Sequence, residues 1–105
     1  MDNTDCCTSK AGVDMLARCM ALELGEKRIR VNVVAPSIVN AGMAKRQIQI
    51  DPAFARKSKG AIPLGELQTA EQVAQATVFL ASEKTESVTG MTLLVDGGLS
   101  LFKFD

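Results

Sequence analysis

The sequence predicts an α/β fold with a parallel sheet, on three observations. Residues 29–35 and 91–95 are short runs dominated by apolar and β-branched side chains, which is typical of strands buried on both faces. A helical segment that begins near Thr69 lies between them. A strand, a crossover helix and a second strand favour parallel pairing through a right-handed connection.

A long helix is predicted over residues 8–24. Its apolar side chains recur at helical spacing, at Val13, Leu16, Ala17, Met20 and Leu24. Further apolar residues widen this face, which predicts burial against more than one neighbouring element. Gly25 follows directly and is expected to end the helix as its C-cap.

Turn and capping residues delimit the other elements. Pro36 is expected to stop the first strand, and residues 43–59 favour helical segments with a break at Asp51 and Pro52. Residues 62–65 and 96–98 are predicted turns. Thr69 followed three residues later by Gln72 is typical of a capping box. The core side of the helix that follows is predicted to comprise Val73, Ala76, Val78, Phe79 and Leu80.

Two strands and about three helices do not complete such a fold, because a parallel sheet needs further strands and cover on both faces. The 105 residues carry no internal repeat and no linker that would divide them. We therefore expect residues 1–105 to form one part of a larger doubly wound sheet.

The composition excludes several classes of protein. Twelve basic residues balance twelve acidic ones, so the net charge does not indicate nucleic acid or an anionic membrane as a partner. No apolar run approaches the roughly 20 residues of a membrane span, and the polar start is unlike a secretory signal. Histidine is absent, and Cys6, Cys7 and Cys19 have neither a zinc nor a disulfide-framework spacing. We expect a cytoplasmic protein without a metal site, in which Cys7 and Cys19 are small apolar fillers.

Several sequence blocks resemble the C-terminal half of a short-chain dehydrogenase/reductase. Thr-Ser-Lys-Ala-Gly at 8–12 resembles the end of the family's Tyr-x-x-x-Lys signature, and Ile-Arg-Val-Asn-Val-Val-Ala-Pro at 29–36 resembles its next strand. The blocks at 62–65, 79–82 and 90–98 follow in the family's order and spacing. The resemblance covers residues 7–99, after a start at 1–6 and before a tail at 100–105. It implies the C-terminal part of a Rossmann-like sheet, and within the family it is nearest to the dicarbonyl/L-xylulose reductase branch.

The departures from this family bear directly on activity. Cys6 stands four residues before Lys10, where the family has its catalytic tyrosine. Ser37 replaces the glycine that follows the family's proline, and Ala41 replaces a threonine that contacts the nicotinamide. The family's Gly-rich phosphate loop, ribose-selecting residue and catalytic serine precede the signature, in the first half of about 250 residues, and have no counterpart here.

The resemblance implies a role for Lys10. In the family the lysine holds the nicotinamide ribose hydroxyls and lowers the pKa of the tyrosine, which is the general acid. The two residues are four apart and therefore share one face of a helix. Read from periodicity alone, Lys10 is a solvated lysine in a first helical turn. A cysteine sulfur is too close to the backbone to replace the phenol, so Cys6 is expected not to function as the acid.

The resemblance also implies a cofactor contact after the first strand. The loop residues expected at the nicotinamide end are Pro36, Ser37, Ile38, Val39 and Ala41. The family's contact at the Val39 position is made by the backbone, so the side chain present there matters little. The alternative is an ordinary strand-to-helix loop. Gly97 and Gly98 are predicted to form a turn rather than a phosphate loop, because no helix follows.

Two functions remain open at this stage. The first is part of an NADP(H)-dependent carbonyl reductase of sugars or α-dicarbonyls, with NAD(H) not excluded and the isolated chain expected to be inactive and to bind neither nucleotide. The second is a non-catalytic interaction or oligomerisation module that associates with itself or with a full-length relative. A reading frame upstream of Met1 that encodes a Gly-rich loop and a tyrosine would favour the first.

Overall fold

A computed structural model describes residues 3–37, 39, 42, 46 and 49–101. Its helices are α1 (Asn3–Leu24), α2 (Pro52–Ala61) and α3 (Ala70–Ala81), and its strands are β1 (Val33–Pro36) and β2 (Thr92–Val95). Short 3-10 helices cover Gly25–Lys27 and Glu83–Thr85. The order of helices and strands is the one that the sequence predicts, although α1 begins five residues before the predicted start at Thr8.

The two strands pair with each other in a two-stranded sheet. Gly90 N–H donates to the Val31 carbonyl at 2.7 Å, and Val33 N–H donates to the Met91 carbonyl at 2.9 Å. Residue numbers rise together along both segments, so the pairing is parallel, as predicted. β1 is shorter than the predicted 29–35, and Pro36 is its last residue rather than the first residue beyond it.

The side chain of Asn32 takes part in this pairing. Its Nδ2 donates to the Val88 carbonyl at 2.9 Å, and its Oδ1 accepts from Met91 N–H at 3.1 Å. A side-chain amide presents the same donor and acceptor as a peptide group. Asn32 therefore satisfies two backbone groups of the partner segment just before the regular strand begins.

The chain divides into two compact units, the first of which comprises Met1–Val33 with Phe79–Leu93. Its buried apolar side chains are Ala17 and Ala21 on α1 and Leu80 on α3. A Cβ on Gly90 would lie 3.6 Å from the Cβ of Ala21, so both residues are small where α1 and the segment before β2 come close together. The predicted burial of the wide α1 face is wrong for this chain: much of it is exposed, including Val13, Met15, Leu16, Met20 and Leu22.

The end of α1 differs from the prediction in its capping residue. Gly25 begins a 3-10 turn and does not cap the helix; Arg28 instead adopts the left-handed conformation, with φ 58° and ψ 33°. Arg28 N–H donates to the Gly25 carbonyl at 3.0 Å, and Ile29 N–H donates to the Leu24 carbonyl at 3.2 Å. These two bonds form a Schellman motif, in which glycine is the usual residue at the position of Arg28.

Arg30 links the first unit across long sequence separations. Its guanidinium donates to the carbonyls of Leu80, Ser82 and Val88 and to the Thr85 hydroxyl, at 2.9 to 3.2 Å. Thr85 is itself buried. The fork of Arg donors thus joins three carbonyls, at the end of α3 and in the segment that follows it, to one side chain.

The second unit comprises Val34–Val78 with Leu94–Asp105. Ile62 is its most buried side chain, at 1% exposed. Gly97 has φ 61°, and a Cβ there would lie 2.6 Å from the Ile62 side chain. Gly97 is therefore required both by its backbone conformation and by the close approach of Ile62. Residues 96–98 form the predicted turn.

One helix of this unit begins at the predicted break and the other begins with the predicted capping box. Asp51 accepts from Ala53 N–H at 3.0 Å, with Pro52 as the first residue of α2. Thr69 and Gln72 form the reciprocal bonds of a capping box at 3.0 and 3.1 Å. Between β1 and α2 the described residues Gly42, Arg46, Gln49 and Ile50 are helical and exposed.

The predicted core side of α3 is confirmed only in part. Leu80 is buried and Val73 and Ala76 are half-buried, whereas Val78 and Phe79 are 68% and 51% exposed. The interpretation of Cys19 as an apolar filler is also not supported, because this free cysteine is exposed. No helix in the described part of the chain is long and apolar enough to cross a membrane.

Candidate functional site

Lys10, the predicted catalytic lysine, lies on α1 with its side chain exposed. It makes no ion pair or hydrogen bond within the described residues. Cys6 belongs to the first turns of the same helix, but its side chain lies outside the described part of the structure, as does that of Cys7.

The predicted nicotinamide loop begins at the end of β1 in the second unit. Pro36 is exposed, and Ser37 and Val39 are half-buried. Ile38 and Ala41 lie outside the described residues. Ser37 and Val39 both bind the same residue, Gln68. Lys10 belongs to the first unit.

Gln68 contacts the loop with both its backbone and its side chain. Val39 and Gln68 form an isolated parallel β-bridge. The Gln68 Oε1 accepts from Ser37 N–H at 3.1 Å and from the Ser37 hydroxyl at 3.3 Å. Gln68 is only 6% exposed, so these bonds form away from water. No pattern in the sequence distinguishes Gln68, because a polar residue before a helix cap has no periodic signal of burial.

The turn after β2 forms a second boundary of this region. Asp96 is 8% exposed, and its carboxylate accepts from the N–H groups of Gly98 and Ser100 at 3.0 and 3.1 Å. A hydrogen bond from the Ser100 side chain, followed by that from Gly98, lowers the pKa of Asp96, although burial opposes the shift. The Asp96 carbonyl lies 3.4 Å from the Ser37 hydroxyl.

A cavity of about 540 Å³ opens beside this turn. Pro63, Leu64 and Leu94 contribute apolar side chains to its wall, and Gln68 and Asp96 contribute polar ones. Within the described residues no cluster of three acidic or cysteine side chains could hold a metal ion.

The comparisons with known proteins define the class. The profile of a family described as enoyl-(acyl carrier protein) reductase matches residues 2–100. The chain belongs to the short-chain dehydrogenase/reductase family, and the resemblance inferred from the sequence blocks is confirmed.

Individual relatives agree with this assignment. L-xylulose reductase of Mesocricetus auratus is 44% identical over 92 residues, which are 88% of this chain and 37% of the relative. 3beta-hydroxysteroid dehydrogenase 1 of Eggerthella lenta is 41% identical over 98 residues, 93% of this chain and 37% of the relative. The predicted nearness to L-xylulose reductase is thus confirmed as a similarity.

The fold is shared with solved structures. An oxidoreductase of the short-chain dehydrogenase/reductase family from Burkholderia thailandensis has a TM-score of 0.82 and 33% identity, over 91% of this chain and 37% of that one. The chain spans somewhat more than a third of the length of the relatives that it matches. The prediction of an incomplete Rossmann-like sheet is therefore confirmed.

Proposed function

We propose that this chain supplies the C-terminal half of an NADP(H)-dependent carbonyl reductase that acts on sugar ketones or α-dicarbonyls. One observation carries the proposal: L-xylulose reductases match 88% or more of the chain, at about 40% identity. Those relatives are more than twice as long, so we expect activity only when the missing strands and phosphate-binding segment are supplied. The isolated chain is expected to bind neither NADPH nor NADH.

Each unit contains a feature that supports the assignment of a nicotinamide cofactor. The Lys10 ammonium is exposed and unpaired within the described residues, as a group that holds ribose hydroxyls must be. In the second unit the backbone of Ser37 and of Val39 is held by buried Gln68, and we propose that these two residues receive the carboxamide. The cofactor, when bound, supplies the hydride to the substrate carbonyl carbon.

The proton that reaches the carbonyl oxygen needs a donor, and Cys6 is poorly placed to provide it. A thiol has a pKa near 8.5, but its sulfur is several ångströms closer to the backbone than a tyrosine oxygen. We therefore propose that Lys10 is inherited in its catalytic position and that the family's general acid is absent. Reduction by the complete fold is expected to be weak for this reason.

The test uses a fused reductase. The N-terminal portion of the Mesocricetus auratus L-xylulose reductase is joined to this chain so that Cys6 keeps the family's tyrosine position. NADPH oxidation is measured with diacetyl and L-xylulose in four forms: the parent fusion, Cys6→Tyr, Lys10→Ala, and both changes together.

Cys6→Tyr should raise the rate by about 10²- to 10⁴-fold, the usual contribution of general acid catalysis. Lys10→Ala should remove most of that gain, because the new phenol would then titrate near its ordinary pKa of about 10. Equal rates in the parent and in Cys6→Tyr, with NADPH bound to both, would disprove the assigned role of position 6. A folded fusion that binds no NADPH would disprove the reductase function.

A second candidate function is an association module. The observation that favours it is the exposed apolar face of α1, which includes Val13, Leu16 and Met20. This face would then bind another copy of the chain or a full-length relative. Mixing the labelled chain with intact L-xylulose reductase and measuring co-sedimentation tests it. A chain that sediments independently of the relative contradicts association of that kind.

A further inference from the structure

Gln68 is a buried side chain whose two ends have different surroundings. Its Oε1 accepts from the N–H and the hydroxyl of Ser37. Since a backbone N–H can only donate, the atom that faces Ser37 is the amide oxygen. The Nε2 of the same amide is buried and has no hydrogen-bond partner within the described residues.

The orientation of Gln68 is held by its packing. A Cβ on Gly97 would lie 3.7 Å from Nε2, so the amide lies against the turn that follows β2. A buried donor without a partner costs about 1 to 3 kcal/mol. The arrangement tolerates this cost at Nε2 while Oε1 is kept directed at Ser37. Because the amide is fixed in this orientation, the two bonds at Oε1 restrict the position of Ser37.

Ser37 connects the same loop to the end of β2. Its hydroxyl has one proton and two acceptors within reach, Gln68 Oε1 at 3.3 Å and the Asp96 carbonyl at 3.4 Å. Whichever acceptor it uses, Ser37 is bound to a buried residue, since Gln68 and Asp96 are 6% and 8% exposed. The β-bridge between Val39 and Gln68 adds a backbone connection two residues further along.

We propose that Gln68 is a positioning residue that holds the backbone of Ser37 and Val39 in the geometry that receives the carboxamide of a nicotinamide nucleotide. This inference rests on the proposed reductase function. Gln68 acts through the loop and does not itself touch the nucleotide. Its loss should consequently weaken binding of the nicotinamide half alone, and leave the adenosine half unaffected.

The experiment measures two dissociation constants in the fused reductase, for NADPH and for 2′-phospho-ADP-ribose, which lacks the nicotinamide. Gln68→Met keeps the size of the side chain and removes the acceptor. NADPH affinity should fall by about 2- to 13-fold, which corresponds to one lost hydrogen bond, while 2′-phospho-ADP-ribose affinity stays within about twofold. The matched control is Gln75→Met, at an exposed position of α3, which should change neither constant.

Gln68→Glu provides the conservative variant. Its carboxylate still accepts from Ser37, so the ratio of the two constants should remain within about twofold of the parent, even though a buried charge lowers the stability of the protein. If Gln68→Met does not fold, Gln68→Glu is the test. A ratio of the two dissociation constants like that of the parent supports the proposal, and a selective loss of NADPH affinity overturns it.

The outcomes separate this inference from the function on which it rests. Equal weakening of both ligands in Gln68→Met, or no weakening of either, overturns the role of Gln68 and leaves the reductase function standing. A folded parent fusion that fails to bind NADPH overturns both. A merely structural role would reduce the fraction of folded protein without changing the ratio of the two constants.

Discussion

The Arg30 guanidinium donates to the Thr85 hydroxyl at 3.1 Å, across 55 positions of sequence. Thr85 in turn lies 2.8 Å from the Leu80 carbonyl, to which Arg30 also donates. The arginine and the threonine thus share one carbonyl at the end of α3. These polar contacts join segments of the first unit, in which few of the described apolar side chains are buried.

Replacement of Arg30 should be among the most destabilising changes in the chain. Arg30→Ala is expected to lower the free energy of unfolding by about 2 to 4 kcal/mol, because several carbonyls lose a charged donor at once. Arg30→Lys should lose less but remain impaired, since a single ammonium cannot reproduce the fork. Urea unfolding of the fused reductase measures both. Arg18→Ala, at an exposed position of α1, is the control, and an Arg30→Ala variant no less stable than it would contradict this account.

Arg28 should be replaceable with a gain in stability. Its left-handed conformation is unfavourable for a residue with a Cβ, so Arg28→Gly is expected to raise the free energy of unfolding by about 0.5 to 1 kcal/mol. Lys27→Gly, one residue earlier in the 3-10 turn, should lower it by a similar amount. Thermal and urea unfolding of the two variants provide the measurement. If both substitutions shift stability in the same direction, the conformation of Arg28 is not the cause.

Asp96 should contribute stability that depends on pH. Because its folded-state pKa is lowered, its contribution is fully present above the unfolded value of about 3.9 and is lost as pH falls through the lower folded-state value. Asp96→Asn should therefore be less stable than the parent at pH 7, and the difference should shrink below about pH 4. Urea unfolding from pH 7 to pH 3 tests this. A difference that stays constant over that range would show that the charge of Asp96 is unimportant.

The isolated chain should self-associate. Val13 and Leu16 share one face of α1 and are 54% and 59% exposed, and an exposed apolar face favours association in water. Leu16→Lys is expected to reduce the associated fraction measured by light scattering, whereas Gln75→Lys, the same charge change at an exposed position of α3, should have little effect. A monodisperse monomer with cooperative unfolding would show that the chain completes its own core.

The sequence predicted the order of the elements because their signals are local. The capping box at Thr69 and Gln72 and the cap at Asp51 depend on residues a few positions apart, and the structure contains both. The end of α1 was mispredicted for the opposite reason. Glycine permits a left-handed cap but does not compel one, and the 3-10 turn moved the cap to Arg28.

The candidate site was predicted less completely than the fold. Lys10 and the loop at Pro36, Ser37 and Val39 were identified by family resemblance, and their roles remain predictions. Gln68 was missed because its hydrogen-bond partner, Ser37, lies 31 positions away in sequence, and no period in the sequence records such a contact. The burial expected for α1 was wrong because an apolar face shows that a helix needs neighbours, but not that this chain provides them.

Asn32 restricts the positions at which this chain can gain or lose residues. Its amide is bound to Val88 on one side and Met91 on the other, so the alignment of the two strands is specified by a side chain as well as by the backbone. One residue inserted directly after Asn32 would turn each later side chain of β1 to the opposite face while the amide stayed bound. An insertion next to Arg46, an exposed residue outside both strands, would leave this alignment untouched. Natural variants of this chain are therefore expected to differ in length around residue 46 and to be uniform in length between Arg30 and Pro36.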